Sequence, residues 1–508
     1  MQAARSDLRT PADANLALAE ALDSAPVSRF HHRAVLISGV GFFTDAYDLF
    51  VIGTVASLVA TQWDLSTTQM SWVSGAAILG AFFGAVVLGR LADIIGRKKV
   101  YVLVAAIMIL GALASAAAPN FVFLVVARFV LGLGIGGDYP VSAVLMSEYS
   151  NRADRGRLVG MVFSMQALGL IVGPLVALGL VESGVGNQVT WRLLLALGAV
   201  PAAGVVYLRS RMPESPRFQA DVLGQHDKAV AELAQFSEGV VGANIVAFPG
   251  DRAKGDRRRE AVAVGGTGGP GRARLGLKDL VRNRRLLTLL VGTAGSWFLF
   301  DYAYYGNTLS LPAILKGVDP GAGTAAKLVL SLAMFVVFAV PGYALAVSRM
   351  DRIGHRRLQL IGFAAMAVAF CLLAAVPALT SSIGAFVAVF GVSYFFVEFG
   401  PNTTTFVLPS EVFPVSARTT GHGIAAGIGK LGAFVGVFLV PTLQRGIGLR
   451  GMLAIATAFA VAGLLVTLLL PEAAGRGLEE LSAESGARAD GNPPSGHEQV
   501  RARSLAAG

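Results

Sequence analysis

Asp138 lies inside an apolar, glycine-rich stretch that begins at Phe129 and runs Gly132-Leu-Gly-Ile-Gly-Gly-Asp-Tyr-Pro-Val-Ser-Ala-Val-Leu-Met-Ser-Glu148. An ionised carboxylate at the centre of a membrane helix costs about 2.5–3.5 kcal/mol on insertion scales, so such residues face a cavity, a partner or a proton path. Comparable groups recur in other apolar runs. Asp45 and Asp48 step by three, and Trp297, Asp301 and Tyr305 step by four, which puts each set on one helix face. Tyr139, Gln166, Glu398 and Asn402 add hydroxyl, amide and carboxyl groups, while Arg128 and Lys430 add cations. Polar groups spread over several apolar helices point to a transport site.

Their depths agree with one another. Counted at 1.5 Å per residue from the charged residues at the helix ends, Asp45 lies about 18 Å in from Arg33, Asp138 about 15 Å from Glu148 and Gln166 about 14 Å from Arg157. Asn402 lies about 14 Å from Glu411, Trp297 and Asp301 about 18 and 24 Å from Arg285, and Lys430 about 18 Å from Arg418. Most of these positions fall near the middle of a hydrocarbon core about 30 Å thick. Arg128, in the outer part of its run, reads as a helix-pairing or gating residue. Asp48 could equally hold helices together by pairing with a cation.

The elements that must carry these groups follow from composition. The chain has 508 residues, 54% hydrophobic and only 15% charged, with a mean hydropathy of +0.63, which places it in a bilayer. Twelve apolar runs are long enough to cross as helices: about 34–59, 71–91, 100–117, 121–145, 157–181, 191–209, 286–313, 326–348, 357–377, 382–408, 418–443 and 451–470. The expected organisation is a tail over 1–30, a six-helix bundle over 31–209, a partly disordered linker over 210–285, a second six-helix bundle over 286–470 and a tail over 471–508. A helix is expected within the linker near Asp227 to Ser237, and disorder after Leu481.

The net charge of +10 does not imply nucleic acid, because the basic residues sit where the positive-inside rule places them. Arg29, Arg33, Arg90, Arg97, Lys98, Lys99, Arg152, Arg155, Arg157, Arg349, Arg352, Arg356 and Arg357 mark one side as cytoplasmic; Lys316, Arg445 and Arg450 are exceptions. Both termini are expected inside, at the plasma membrane. The first 30 residues show no cleavable signal peptide, so the first span serves as insertion signal. Cys371 is the only cysteine and is expected to pack in its apolar helix, which excludes an intrachain disulfide and a multi-cysteine metal site. With no ATP-binding loop, nucleophile-and-base pair or metal-ligand cluster, neither a cofactor nor an enzyme activity is expected.

The halves echo each other. Gly89-Arg-Leu-Ala-Asp93-Ile-Ile-Gly96-Arg97-Lys98-Lys99 after span two is matched by Asp351-Arg-Ile-Gly354-His355-Arg356-Arg357 after span eight, and Ser147-Glu148 with Arg155 by Ser410-Glu411 with Arg418. Six plus six helices with this loop motif resemble the major facilitator superfamily over nearly the whole chain. Pro213-Glu214-Ser-Pro216-Arg217 and Pro471-Glu472-Ala-Ala-Gly475-Arg-Gly-Leu478-Glu479 resemble its sugar-porter-like branch. Gly136-Gly-Asp138-Tyr139-Pro140-x-Ser142-Ala143, with Gly400-Pro401-Asn402-Thr-Thr-Thr-Phe406 and Ser410-Glu411-Val-Phe413-Pro414, is similar to the phosphate:proton symporters.

That resemblance implies an all-α fold of two pseudo-symmetric bundles and proton-coupled import of inorganic phosphate by alternating access. It implies phosphate ligands Tyr139, Gln166, Trp297, Asp301, Tyr305 and Asn402, with Asp45 and Asp138 on the proton path and Asp48 beside them. Lys430 would offset the anion's charge or pair with an aspartate. The chemistry fits: tyrosine, tryptophan and amide groups donate neutral hydrogen bonds, and a carboxylate beside an anion needs a proton on one of the two. Glu398 is no part of the resemblance. Asp93 with Arg97 and Glu148 with Arg155, echoed by Asp351, Glu411 and Arg418, are expected to pair in one conformation and separate in the other. The alternatives are a porter of sugars, aromatic acids or other organic anions, and a phosphate receptor that does not transport.

Overall fold

The computed structural model describes residues 18–225, 228–231, 275–309 and 324–486, and among these there is no strand. Among the described residues, twelve helices are long and apolar enough to cross a membrane: α1 (Arg29–Trp63), α2 (Thr67–Ile95), α3 (Arg97–Ala116), α4 (Phe121–Tyr149), α5 (Arg155–Glu182), α6 (Asn187–Arg211), α7 (Arg284–Thr308), α8 (Leu328–Ile353), α9 (His355–Ala375), α10 (Ile383–Val412), α11 (Val415–Leu439) and α12 (Gly446–Thr467). Each contains one of the expected runs or most of it. The far end of the expected seventh run, with Lys316, lies outside the described residues.

Helices α2 and α11 pack against each other, as do α5 and α8, and these pairs join the halves. Trp72 of α2 meets Phe434 and Phe438 of α11 ring to ring. Deeper in, Phe163 of α5 stacks on Phe406 of α10 with centroids 4.7 Å apart, and Phe42 of α1 meets Phe406 edge-on at 4.9 Å. Such aromatic pairs each contribute about 0.5–1.5 kcal/mol beyond the burial of their area. Spans α5 and α10 are interrupted, α5 at Met165 and α10 at Gly400, where Pro401 starts the next helical stretch. Gln166 and Asn402 directly follow these breaks.

The outer face is apolar, with Val87, Leu110, Val122 and Val368 exposed, as suits a surface covered by lipid. Cys371, expected to pack, is exposed. It occupies the side of α9 turned away from the bundle.

The repeated Asp-Gly-basic motifs make two matching turns. Gly96 (φ 107°) and Gly354 (φ 102°) end α2 and α8 in backbone conformations that a side chain would strain. Immediately after them, Glu214 accepts from the Lys98 amide at 3.2 Å at the start of α3, and Glu472 from the His355 amide at 2.7 Å at the start of α9. The two Pro-Glu elements thus satisfy first-turn N–H groups that no residue within the helix can reach.

Parts of the chain's peripheral segments are helical. A helix over 18–23 packs Leu18 and Leu22 against Ala220 and Ala229, and the linker contains helices at Pro216–Asp221 and Leu277–Arg282. Of the helix expected near Asp227 to Ser237, residues 228–231 are helical and the remainder lies outside the described residues. Beyond Leu481, where disorder was expected, the helix Leu478–Gly486 continues. Leu481 anchors it by burying against a cluster that includes Leu280 and Leu408.

Candidate functional site

The buried polar residues meet at the interface of the two halves. Tyr139 of α4 donates its hydroxyl hydrogen to Asp45 of α1 at 2.5 Å and accepts from the Gln166 amide of α5 at 3.0 Å. The Gln166 oxygen accepts from the Tyr343 hydroxyl of α8 at 3.3 Å, and that hydroxyl accepts from the Asn402 amide of α10 at 2.8 Å. Asn402 also donates to Glu398, whose other oxygen accepts from Tyr304 of α7 at 3.0 Å. A hydrogen-bond chain therefore crosses from one half to the other, its donors pointing outward from the Asn402 amide to a carboxylate at each end.

Lys430 of α11 sits beside this chain. Its Nζ donates to the Tyr305 hydroxyl at 2.8 Å, lies 3.7 Å from Asp301 Oδ2 and stands 4.3 Å from the ring centroids of both Tyr139 and Tyr305. Trp297 packs 6.1 Å from Tyr139 and 5.7 Å from His422, centroid to centroid. Asp45, Tyr139, Gln166, Trp297, Asp301, Tyr305, Asn402 and Lys430 are all buried. Oδ1 of Asp45 and Oδ2 of Asp301 have no hydrogen-bond partner, so each carboxylate keeps acceptor capacity in the site.

The other two membrane aspartates are fully engaged. Asp48 takes Arg128 on both oxygens at 2.7 Å. Asp138, expected beside Asp45 on a proton path, has both oxygens occupied by Arg209 of α6 at 2.8 and 3.0 Å, and Ser142 adds a contact at 3.2 Å. Gly41 of α1 makes room for this pair, since a Cβ there would lie 1.8 Å from Asp138 Oδ2 and 2.4 Å from Arg209 Nη2. Among the described residues, no group of three or more His, Cys, Asp or Glu side chains is placed to hold a metal ion.

At the basic end the halves are tied by a second, quasi-symmetric set. Asp93 at the end of α2 accepts from the Thr420 amide and hydroxyl of α11 at 2.7 and 2.6 Å, while Asp351 at the end of α8 accepts from the Gly156 and Arg157 amides of α5 at 3.0 and 2.8 Å. Each aspartate thus caps the N-terminus of a helix in the opposite half, where backbone N–H groups and the helix dipole favour a carboxylate. Arg97 bridges Asp93 at 3.1 Å and Glu148 at 3.4 Å; His355 likewise bridges Asp351 at 3.2 Å and Glu411 at 2.8 Å.

The expected pairing of Glu148 with Arg155 is not the one present. Glu148 binds Arg97 and, across the halves, Arg418 at 3.3 Å. Arg155 binds Asp23 at 2.8 Å and the Arg476 carbonyl at 2.9 Å, because the folded tail segments bring acceptors over its helix end. Arg217 joins the same node through Asp23 at 2.6 Å and through Glu479.

The sugar (and other) transporter family model matches residues 34–484. A probable inorganic phosphate transporter 1-6 of Arabidopsis thaliana is 35% identical over 92% of this chain and 96% of its own length. Inorganic phosphate transporter 1-6 of Oryza sativa is also 35% identical, over 94% and 97% respectively. The chain belongs to this transporter family, grouped with its inorganic phosphate transporters. The fold is that of the major facilitator superfamily: the proton:xylose symporter XylE bound to 6-bromo-6-deoxy-D-glucose superposes with a TM-score of 0.74 at 19% identity, covering 89% of this chain and 98% of that one.

Several residues of this transporter's site carry no distinct sequence signal. Tyr304 and Tyr343 look like ordinary aromatic packing within apolar runs. Arg209 ends the sixth run, where a basic residue is already accounted for by topology. Asp23 lies in a polar tail, and only the folded position of Arg155 and Arg217 gives it a role.

Proposed function

We propose that this protein imports inorganic phosphate together with protons across the plasma membrane by alternating access, with the basic end and both tails in the cytoplasm. The observation that carries this reading is Lys430, whose ammonium is buried between Tyr139, Tyr305 and Asp301 and surrounded by neutral donors from both halves. A neutral sugar has no need of a buried ammonium. An oxyanion does, and the relatives are named for phosphate.

The same arrangement supports proton coupling through charge balance. Asp45, Asp301 and Glu398 face the site against one lysine, so an added anion deepens a negative excess in dry surroundings. Protons on the carboxylates or on phosphate relieve it. Phosphate near neutral pH carries such a proton and sulfate does not, which gives a basis for selecting between them. In this reading Tyr139, Gln166, Trp297, Asp301, Tyr305 and Asn402 hold phosphate and Asp45 carries a proton, whereas Asp48 and Asp138 hold helices together. Asp93, Arg97, Glu148, Asp351, Glu411 and Arg418 close the cytoplasmic side.

Purified protein in proteoliposomes tests this directly. Phosphate uptake should rise with an inward proton gradient and be insensitive to sulfate and xylose. Uptake of a sugar, or phosphate uptake indifferent to the gradient, would overturn the reading.

A further inference from the structure

Glu398 lies on α10 one turn before Asn402 and is fully buried. Tyr304 from α7 and Asn402 from α10 donate to its two oxygens, while Tyr343 from α8 and Tyr394 from its own helix are the other titratable groups facing it. Among the described residues no lysine, arginine or histidine forms an ion pair with it, in contrast to Asp48, Asp138 and Asp301. A permanent charge in so dry a place is costly, and neutral donors offset only part of that cost. A carboxylate that is charged in one part of a cycle and protonated in another avoids it.

Asp45, in the first half, likewise accepts from a neutral donor, Tyr139, without an ion pair. The two carboxylates end one chain, in which Tyr139 donates to Asp45 and Asn402 to Glu398, with Gln166 and Tyr343 between. Tyr139 and Asn402 are also proposed phosphate ligands. When an anion takes their O–H and N–H groups, each carboxylate loses a donor that stabilises its charged form, and a proton takes its place. On release of phosphate to the other side the proton leaves and the donor returns.

We propose that Glu398 is a second proton-coupling group, so that one phosphate is carried with a proton on Asp45 and a proton on Glu398. This rests on the phosphate reading above. It assigns the coupling to both halves of the molecule rather than to the first alone.

The test is the limiting accumulation of phosphate in proteoliposomes with the membrane potential clamped at zero. Each coupled proton multiplies the limiting dihydrogen phosphate ratio by about tenfold per unit of pH gradient. Glu398→Gln protein should accumulate phosphate to a ratio about tenfold below wild type at a one-unit gradient; equal ratios would overturn the proposal. Protons taken up per phosphate bound by solubilised protein in weak buffer give a count independent of turnover, and Glu398→Gln should lower it by about one. An unchanged count overturns the proposal, as does folded Glu398→Gln protein that no longer binds phosphate. Tyr304→Phe leaves the carboxyl in place but removes a donor to its charged form, so the pH profile of uptake should move upward; an unmoved profile counts against Glu398. Wild-type protein that neither binds nor accumulates phosphate would instead overturn the phosphate reading.

Discussion

Asp138 of α4 and Arg209 of α6 form a two-pronged ion pair, at 2.8 and 3.0 Å, seated over the bare backbone of Gly41 in α1. Three helices of the first half meet at this point. Breaking a buried pair by removing one partner costs about 3–5 kcal/mol, whereas replacing both partners with apolar groups is often neutral. Asp138→Asn and Arg209→Gln should each lower thermal stability in detergent and extracted yield, and Asp138→Leu with Arg209→Met should recover much of the loss. Asp138→Asn protein of wild-type stability that fails only in gradient-driven uptake would return Asp138 to the proton path.

Lys430 and Asp301 face each other at 3.7 Å with Tyr305 between them. A hydrogen bond to a charged group contributes about 1.5–3 kcal/mol, so Lys430→Met should weaken equilibrium phosphate binding by about 10–100-fold. Asp301→Asn should also weaken it and flatten its pH dependence, because the amide cannot exchange a proton with the substrate. Unchanged affinity and pH dependence in Asp301→Asn would remove Asp301 from the site.

Glu148 holds two guanidinium groups, one from each half. Glu148→Gln weakens both contacts and should shift the population toward a form open at the basic end. Spin labels at Ala153→Cys and Ser348→Cys, on exposed positions of the two halves and with Cys371→Ser to remove the exposed native thiol, should show a longer distance in this variant. An unaltered distance distribution would mean that the Asp93 and Asp351 caps close this end without Glu148.

Much of this was legible from spacing, and what was not has definite causes. The depths of Asp45, Gln166, Asn402 and Lys430 follow from helical rise, because membrane thickness limits where a polar residue can lie. Partners do not follow from depth. Asp138 and Asp45 lie at similar levels, yet only Asp138 faces Arg209. Glu148 and Arg155 are neighbours in sequence, but the charges they meet, Arg418 and Asp23, come from the other half and from the tail. Order beyond Leu481 was missed because a single buried leucine, not a long apolar pattern, anchors that helix.

The tail node has its own pH signature. Burial by itself would raise the Glu479 carboxyl, but the Arg217 guanidinium outweighs it and holds the group at about 2. Since an unfolded glutamate titrates near about 4.3, the stabilisation is fully present above that value and is lost as pH falls toward about 2. Hydrogen exchange over residues 478–482, corrected for intrinsic rate, should show equal protection at about pH 7 and pH 5 and loss below about pH 4. Loss of protection between pH 7 and pH 5 would show that another contact holds the helix.

Asp45→Asn separates holding phosphate from carrying it with a proton, because the change preserves size and removes the titratable group beside Tyr139. In proteoliposomes this variant should still exchange labelled phosphate for unlabelled phosphate at equal pH on both sides, and should accumulate phosphate under a one-unit inward pH gradient to a limiting ratio about tenfold below wild type. Gradient-driven accumulation by Asp45→Asn at the wild-type rate and pH dependence would contradict proton coupling at this site.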